Sequence, residues 1–397
     1  MTATNLNKSD SSAGEGAGTG KRRAKFHPLE VSQVRRLTDS AVEVSFAVPA
    51  ELQAEYDYVA GQYVALRAEI DGTEIRRSYS ICEAPTPGVL KVGIKKDLGG
   101  VFSTWANEEL KAGETLEVMS PQGAFISQHR LTGMNDAEAV SGEALAAGRT
   151  HFVAAAAGSG ITPILAIAKT LLAHPETTLD LIYANRAASE VMFLEELADL
   201  KDRYPSRLAI HHVLSREQRQ APIYSGRIDA DRLEQIFTHL IDVDKVDEWF
   251  LCGPFELVQL IRDELEGRNV PAAKVRFELF STGQPGEGAQ GSAGRPVEVD
   301  PEGENFEISF QLDGLTGDVK SPKSARETVL NAALRVRADV PFACAGGVCG
   351  TCRAKVTEGT VDMAENYALE ADDVERGYVL TCQSRPTSDR VAVDFDA

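Results

Sequence analysis

The chain of 397 residues contains no run of 18 consecutive apolar residues, and its amino terminus lacks the apolar stretch of a secretory signal. The first absence argues against a membrane-spanning helix, and the second predicts a cytoplasmic protein. Basic residues are also scarce, with 41 Lys and Arg against 60 Asp and Glu and a net charge of −19. Because nucleic acids and anionic membranes attract basic surfaces, neither is expected as a partner.

Cysteine is scarce as well, but its distribution is uneven. Of six cysteines, four lie in the last 54 residues: Cys344, Cys349, Cys352 and Cys382. Their C-x4-C-x2-C spacing, with a distant fourth cysteine, is typical of a plant-type 2Fe–2S site. Zinc sites usually contain paired C-x2-C units, and disulfides conflict with a cytoplasmic location. The spacing therefore predicts four cluster ligands.

Low-complexity stretches divide the chain. Residues 1–25 are predicted to be a disordered tail, 282–295 a flexible linker, and the polar stretch 127–149 an irregular connection. Three candidate domains remain, at 26–126, 150–281 and 296–397. This number agrees with the chain length.

The three segments differ in the spacing of their hydrophobic residues. Short alternating runs separated by turn residues in 26–126 predict a small antiparallel β-barrel. Strands alternating with helices in 150–281, one of them expected at Glu190–Leu200, predict an α/β domain with a parallel sheet. The third segment mixes strands with one clear helix, which indicates an α+β domain. The expected fold class is therefore multidomain.

A glycine turn at 158–163 follows a predicted strand and opens a helix, a context that suits a pyrophosphate. Pro163 replaces the third glycine of the usual dinucleotide motif, so a purely structural turn is an equal alternative. Ser215-Arg216 follows the third strand, where Arg216 could pair with a 2′-phosphate or belong to a solvated loop. Cys252-Gly253-Pro254 closes a later strand at the ligand-binding edge.

Two segments of the barrel suit a second ligand. Residues 76–80, Arg-Arg-Ser-Tyr-Ser, are expected at a strand start and offer a phosphate clamp, an aromatic face and a hydroxyl. Residues 95–103 form a glycine loop that opens a helix, another anion site. An exposed arginine pair and a helix cap are the alternatives, so the residues alone leave the ligand open.

The order of these motifs resembles the ferredoxin–NADP reductase superfamily with a carboxyl-terminal plant-type ferredoxin, over residues 26–397. The resemblance implies an FAD-binding barrel, an NAD(P)-binding domain and a β-grasp-like ferredoxin domain. Residues 363–370 and 377–383 further resemble the reductase subunits of phenylacetyl-CoA epoxidases, which feed electrons to a diiron oxygenase in phenylacetate breakdown.

The resemblance also implies roles for individual residues. Arg77 would hold the FAD pyrophosphate, Tyr79 would stack on the isoalloxazine, and Ser80 would bond near its N5. The implied FAD ligands are Arg77, Ser78, Tyr79, Ser80, Gly100, Val101, Phe102 and Ser103. The implied nucleotide ligands are Gly158, Gly160, Thr162, Pro163, Ser215, Arg216, Tyr224, Cys252, Gly253 and Pro254. The implied catalytic residues are Tyr79, Ser80, Thr162, Cys252, Glu278 and Phe280.

The implied activity is electron transfer from NADPH, with NADH as an alternative, through FAD and the cluster to an oxygenase. Residues 297–397 carry 19 Asp and Glu against 10 Lys and Arg, a net of −9, which favours docking on a basic oxygenase surface. One alternative is a reductase for a Rieske oxygenase of the ketosteroid 9α-hydroxylase type. Another is a non-enzymatic iron–sulfur redox sensor, although a sensor has no need of intact flavin and nucleotide motifs.

Overall fold

The architecture comes from a computed structural model, which describes residues 25–97, 99–130, 143–144, 150–281, 297, 303–312, 314–337, 340–342, 347, 350–366, 368–369 and 371–397. The expected tail, apart from Lys25, and the expected linker at 282–295 lie outside these residues. Among the helices that the structure describes, none is long and apolar enough to cross a membrane.

Six antiparallel strands form the first domain, in the order β4-β3-β6-β1-β2-β5. A bridge between Ile81 and Val92 brings the two edges together, so the barrel is nearly closed, as expected. Helix α1 buries Phe102 in the barrel core. The elements are β1 (Phe26–Thr38), β2 (Ala41–Ala47), β3 (Tyr63–Ile70), β4 (Thr73–Ser80), β5 (Val89–Lys95), α1 (Val101–Glu108) and β6 (Thr115–Met119).

Strand β2 is buried on both faces, although its alternating sequence predicts one solvated face. Val44 lies in the barrel core, while Glu43 on the other face is only 5% exposed. The second domain covers that face: Arg35 forms ion pairs with both Glu43 and Glu196, and Ala41 joins the core of the second domain. The barrel and the second domain are therefore packed together.

The polar stretch at 127–149 contains a short parallel pair, β7 (His129–Arg130) and β8 (Glu143–Ala144). At its start, the Ser127 hydroxyl and the Gln128 N–H donate to the Glu248 carboxylate at 2.5 and 2.9 Å. Glu248 is fully buried and pairs with Arg276 at 3.2 Å. The described part of this connection is thus anchored to the second domain.

The second domain is a five-stranded parallel sheet in the order β11-β10-β9-β12-β13. Strand β9 is apolar from Phe152 onward because Phe152 and Ala154 face one hydrophobic core and Val153 and Ala155 face the other. The elements are β9 (Thr150–Ala157), α2 (Ile161–Leu172), β10 (Thr177–Asn185), α3 (Leu194–Arg203), β11 (Leu208–Leu214), α4 (Ala230–His239), β12 (Glu248–Pro254), α5 (Phe255–Gly267) and β13 (Val275–Ser281).

The helix expected at Glu190–Leu200 begins later, at Leu194. Phe193, directly before it, has a left-handed backbone with φ 58° and is only 1% exposed. Burial of the Phe193 ring holds the chain in a conformation that an α-helix cannot continue through, so Glu190 ends a separate 3-10 turn.

The third domain is a mixed sheet in the order β15-β14-β20-β16-β18, in which β14 and β20 are parallel. Helix α6 is capped by the Thr328 hydroxyl and packs its apolar side chains on the sheet, the β-grasp-like α+β arrangement that was expected. The elements are β14 (Asn305–Leu312), β15 (Leu315–Pro322), α6 (Val329–Val336), β16 (Arg353–Glu358), β17 (Val361–Met363), α7 (Ala371–Glu375), β18 (Tyr378–Leu380), β19 (Ser384–Pro386) and β20 (Arg390–Asp394).

Candidate functional site

The glycine turn lies at the carboxyl edge of the parallel sheet, between β9 and α2. Gly158 has φ 53°, and its carbonyl accepts a hydrogen bond from the Tyr183 hydroxyl at 3.0 Å. A Cβ at Gly160 would lie 2.1 Å from the carbonyl oxygen of Cys252, so no side chain fits there. The turn therefore needs glycine for packing, and it also places the start of α2 where helix N–H groups can bind phosphate.

The first turn of α2 carries Thr162 and Pro163, both buried. Pro163 fits because the first helical N–H groups have no partner within the helix. The Thr162 hydroxyl donates to the Ser159 carbonyl at 3.0 Å, and its methyl faces the barrel, 2.6 Å from where a Cβ at Gly93 would lie. Thr162 thus lies where the barrel and the parallel sheet meet.

Cys252 and Gly253 end strand β12, and Pro254 caps helix α5. The fully buried Cys252 lies opposite Glu278 in the ladder between β12 and β13. Burial, and then the neighbouring Glu278 charge, raise the pKa of the Cys252 thiol well above its usual value. The thiol is therefore protonated at neutral pH.

The Arg77–Ser80 motif occupies the end of strand β4, whereas the sequence predicted a strand start. The difference comes from a tight hairpin turn that begins β4 earlier, at Thr73. Asp71 and Gly72 form this two-residue turn with φ 51° and 74°, and both conformations suit an Asp-Gly pair.

One contact joins the end of β4 to the edge of the parallel sheet. The Ser80 hydroxyl donates to Glu278 Oε2 at 3.1 Å. Burial raises the pKa of Glu278 to about 7, although the hydrogen bond from Ser80 acts in the opposite direction. The carboxyl group can therefore take up or release a proton near neutral pH. Of Phe280, two residues further along β13, the structure describes only the backbone.

The aromatic residue of the motif lies beside helix α1. The Tyr79 ring centroid is 5.7 Å from that of Phe102, and burial raises the pKa of the Tyr79 phenol. Phe102 itself is 1% exposed and packs in the barrel core, so its side chain has a structural role. Tyr79 therefore presents a neutral, half-buried ring at the barrel surface.

The glycine loop before α1 is held by Ser103. Its hydroxyl accepts the Asp97 N–H at 3.0 Å, and a Cβ at Gly100 would lie 2.5 Å from the Ser103 oxygen. Val101, at the first position of α1, is 49% exposed. The loop thus leaves the start of a helix open beside Tyr79, which fits a bound phosphate group.

The sequence analysis placed Lys95 in the anion site of residues 95–103 but did not predict that it also reaches the glycine turn of the second domain. Its ammonium lies 3.6 Å from where a Cβ at Gly158 would stand and 3.6 Å from Glu190 Oε2. Lys95 ends strand β5, so it brings a cation from the barrel to the glycine turn of the sheet. The position of Lys95 at the end of a strand, directly before the glycine loop, is the feature of the sequence that could have predicted this.

The predicted ribose side of the site lies at the ends of β10 and β11. The N–H of Ser215 donates to the Asn185 carbonyl at 2.9 Å, and the N–H of Arg216 donates to the Arg186 carbonyl at 2.8 Å. Arg186 and Arg216 are both exposed, so two guanidinium groups leave the same edge. Arg186 was not predicted, although it follows directly after the second strand of the sheet.

Tyr224 lies beside strand β11. Its hydroxyl is 3.1 Å from His211 Nδ1, and the two rings stack with centroids 6.0 Å apart. Tyr224 therefore packs against β11, the strand that Arg216 follows, but its hydroxyl meets a histidine in the middle of the strand rather than at the carboxyl end.

Two of the four predicted cluster ligands, Cys344 and Cys349, lie outside the described residues. The other two, Cys352 and Cys382, are 2% and 6% exposed. Thr381 holds their segments together, because its N–H and hydroxyl donate to the Cys352 carbonyl at 3.1 and 2.9 Å.

The loop that carries these cysteines needs glycine at two described positions, Gly347 and Gly350, which have φ of 79° and 70°. A Cβ at Gly347 would lie 3.0 Å from the Gln383 side chain, so the loop packs directly against the turn between β18 and β19 that carries Cys382. The Gln383 amide also lies 3.7 Å from Cys382 Sγ. Buried thiols, close backbone and an N–H donor to sulfur are the environment that an iron–sulfur cluster requires.

Three family models match the chain in the same order. They describe an oxidoreductase FAD-binding domain at residues 28–126, an oxidoreductase NAD-binding domain at 154–263 and a 2Fe-2S iron-sulfur cluster binding domain at 314–387. The matches confirm the expected cofactors FAD, a nicotinamide nucleotide and a 2Fe–2S cluster.

Similar proteins include reductase components of oxygenases. A component protein of the 1,2-phenylacetyl-CoA epoxidase from Escherichia coli K12 is 41% identical over 94% of this chain and 98% of its own. The ferredoxin reductase component of 3-ketosteroid-9-alpha-monooxygenase from Rhodococcus rhodochrous is 33% identical over 92% and 96%. Phthalate dioxygenase reductase is similar in fold, with a TM-score of 0.56 and 21% identity over 93% and 98% of the two chains.

Proposed function

Because the chain belongs to the ferredoxin–NADP reductase superfamily with a carboxyl-terminal 2Fe–2S domain, we propose that it passes electrons from NADPH through FAD and the cluster to an oxygenase. One observation supports this most directly. The hydrogen bond between Ser80 and Glu278 joins the flavin motif to the nucleotide edge. A nicotinamide at that edge would therefore lie against a flavin on the barrel.

We assign the FAD to the Arg77–Ser80 strand and the Gly100–Ser103 loop, and the nucleotide to the turn at 158–163, the exposed Arg216 and the Cys252–Pro254 segment. The open helix start at Val101 and the neutral ring of Tyr79 support the FAD assignment. A bound flavin accepts two electrons as a hydride and releases them one at a time, which a one-electron cluster needs.

The Glu278 carboxyl group is the part of this chain that we expect to take up and release the proton during flavin oxidation and reduction. It lies opposite the protonated Cys252 and accepts a hydrogen bond from Ser80, with a pKa of about 7. Glu278 can therefore store a proton beside the flavin motif and release it to water through Ser80 or the neighbouring sheet edge. Thr162, held by Ser159, lies on the side of α2 where the barrel and the parallel sheet meet, with its methyl group beside Gly93.

For the electron acceptor, we propose the diiron oxygenase of a phenylacetyl-CoA epoxidase. The similarity to one component of such an enzyme, at 41% identity over nearly the full length of both chains, supports it. The ketosteroid monooxygenase reductase, at 33% identity, supports a Rieske-type oxygenase as the second candidate. Cluster thiolates also favour the reducing cytoplasm as the location.

The test has two stages. The purified holoprotein is first mixed with NADPH without oxygen, and we expect the flavin and cluster absorbance to bleach; no bleaching would leave the redox-sensor alternative. The reduced protein is then supplied to purified phenylacetyl-CoA epoxidase oxygenase or to a ketosteroid 9α-oxygenase. Product formation with the first and not the second is expected, and the reverse would replace the diiron acceptor with the Rieske one.

A further inference from the structure

We propose that Tyr63 and Arg76 form a docking face on the barrel that holds the cluster loop of the ferredoxin domain beside the flavin motif. The inference rests on the proposed function, in which an electron must pass between these two domains. Both residues lie outside the sets assigned above to FAD and nucleotide. The contacts come from two residues on neighbouring strands, β3 and β4.

Tyr63 makes the more specific contact. Its hydroxyl lies 2.5 Å from the hydroxyl of Thr351 in the ferredoxin domain. Thr351 stands between Gly350 and the cluster cysteine Cys352, so the contact reaches the cluster loop itself. Tyr63 is 4% exposed, and its ring packs 3.0 Å from where a Cβ at Gly123 would lie, which fixes the ring direction.

The same tyrosine also lies against the flavin motif. In the antiparallel ladder Tyr63 pairs directly with Ser80, and paired residues project their side chains to the same face of a sheet. Ser80 in turn donates to Glu278. One side chain therefore separates the flavin motif from the cluster loop.

Arg76 makes the second contact, between two aromatic rings. Its guanidinium carbon lies 5.2 Å from the centroid of Phe26 in the barrel and 5.3 Å from the centroid of Phe342 in the ferredoxin domain. Phe342 precedes the cluster cysteine Cys344 by two residues. Arg76 is only 4% exposed, and a cation between aromatic faces is held more strongly where water is excluded.

Strand geometry explains why neighbouring arginines differ in role. Successive side chains of a strand point to opposite faces, so Arg76 and Arg77 project in opposite directions. Arg77 lies near Asp97 of the glycine loop, on the flavin side, whereas Arg76 meets Phe342. Arg77 therefore shares its face of β4 with Tyr79, beside the glycine loop, whereas Arg76 shares its face with Ser80, the residue that pairs with Tyr63.

In the docked arrangement a flavin reduced by hydride would pass its two electrons to the cluster one at a time, and the oxygenase would reoxidise the cluster between the two transfers. NADPH is the reductant and the oxygenase the oxidant, and the proton released from the flavin goes to Glu278 or water. No covalent bond forms between the domains.

The variants for the test are Tyr63→Phe, Arg76→Gln and Thr351→Val, with Tyr56→Phe as the matched control. Tyr56 is another buried barrel tyrosine, but its hydroxyl donates to the Val118 carbonyl at 2.5 Å within the barrel. Tyr63→Phe removes only an oxygen atom, so it should fold even if Arg76→Gln does not. Absorbance of flavin and cluster verifies that each variant is fully loaded.

Flavin and cluster reduction are followed separately by anaerobic stopped-flow spectroscopy with NADPH. In Tyr63→Phe we expect the rate of flavin reduction to be unchanged. The rate of cluster reduction should fall by about fivefold, which is the effect expected from the loss of one hydrogen bond. Thr351→Val should be equally slow, and adding it to Tyr63→Phe should change little, because both remove the same contact. Small-angle X-ray scattering of the oxidised proteins should show a larger radius of gyration for the docking variants than for Tyr56→Phe.

The proposal would be overturned if the cluster were reduced as fast in the Tyr63 and Arg76 variants as in Tyr56→Phe. This would hold even if the radius of gyration of these variants changed. Independent, additive effects of Tyr63→Phe and Thr351→Val would also overturn the assigned contact. A wild-type protein whose flavin is reduced by NADPH but whose cluster is not would instead refute the proposed function, and the scattering comparison would still decide whether the domains dock through these residues.

Discussion

At the scale of single residues, the Glu278 carboxyl group stands out because it is a titratable group at the junction of two domains. Its neighbours are Ser80, which donates to it at 3.1 Å, and the buried Cys252 across the ladder. Burial raises its pKa to about 7, so a change of one pH unit around neutrality changes its protonation substantially.

We expect turnover with an electron acceptor to rise with pH through about 7, because only the ionised Glu278 can accept a proton. Glu278→Gln should lower turnover by about 100-fold and flatten this pH profile. The check is steady-state reduction of cytochrome c or ferricyanide between pH 5.5 and 8.5. Asp244→Asn, which changes an exposed carboxyl group in the 3-10 helix Val243–Lys245, is the control and should keep the wild-type profile.

Arg216 is the residue on which nucleotide preference is expected to depend. It is exposed at the sheet edge, where its guanidinium could pair with a 2′-phosphate. Arg216→Ala should raise the KM for NADPH by a factor that corresponds to ~1.5–3 kcal/mol, the value of a hydrogen bond to a charged group. The KM for NADH should stay nearly unchanged. Equal effects on both nucleotides would remove Arg216 from this role, and Arg203→Ala, exposed on α3, provides the baseline.

At the scale of elements, the close approach of the turn after β9 to strand β12 decides the geometry of the nucleotide edge. Gly160→Ala would push a methyl group against the Cys252 carbonyl, where only 2.1 Å is available. We expect a loss of about 3 kcal/mol of stability together with weaker NADPH binding. Gly267→Ala, at the end of α5 with no atom within 4 Å of its Cβ position, should be neutral or stabilising. Thermal melts of both variants make the comparison.

The strands of the parallel sheet are also linked by a charged cluster away from the nucleotide edge. Asp180 on β10 lies 2.6 Å from His151 on β9 and 3.6 Å from His211 on β11. Burial alone would raise the pKa of Asp180, but the hydrogen bonds with both histidines outweigh it and hold the pKa at about 2.

A carboxyl group with a lowered pKa stabilises the folded state above its unfolded pKa, 3.8 here, and this stabilisation disappears as the pH falls toward 2. Asp180→Asn should therefore cost about 2 kcal/mol at neutral pH and progressively less below pH 4. Urea unfolding at pH 7 and pH 3 measures both values. An equal loss at the two pH values would show that the ionised carboxylate is not what stabilises the sheet.

At the scale of the whole molecule, charge is unevenly distributed, with a net of −9 in residues 297–397 out of −19 for the chain. A basic oxygenase surface would attract the ferredoxin domain, so the rate of electron delivery should fall by severalfold as salt rises from 20 to 300 mM. Flavin reduction by NADPH provides the internal reference. A delivery rate independent of ionic strength would contradict electrostatic docking.

The cofactors and their order could be predicted from the sequence because each depends on residues close together in the chain. Three cluster cysteines lie within nine residues, and the Arg77–Ser80 and Gly158–Pro163 motifs are each shorter than seven. The spacing of hydrophobic residues likewise predicted the barrel and the parallel sheet. A strand or helix that buries one face has apolar residues at a regular interval, and a strand that buries both faces is apolar at successive positions. The start of α3 was predicted wrongly because a buried Phe193 ring overrides the local helical pattern.

The sequence by itself determined which cofactors this protein holds, since motifs record local chemistry. Only the tertiary structure decided which residues meet. Ser80 and Glu278 are 198 residues apart, and Tyr63 and Thr351 are 288 apart, yet both pairs are in hydrogen-bond contact. Such contacts depend on how separately folded domains pack, and no short-range pattern encodes that packing. For the same reason the structure alone showed that the strand carrying the Arg77–Ser80 motif, β4, also contacts the ferredoxin domain, through Arg76 and Phe342.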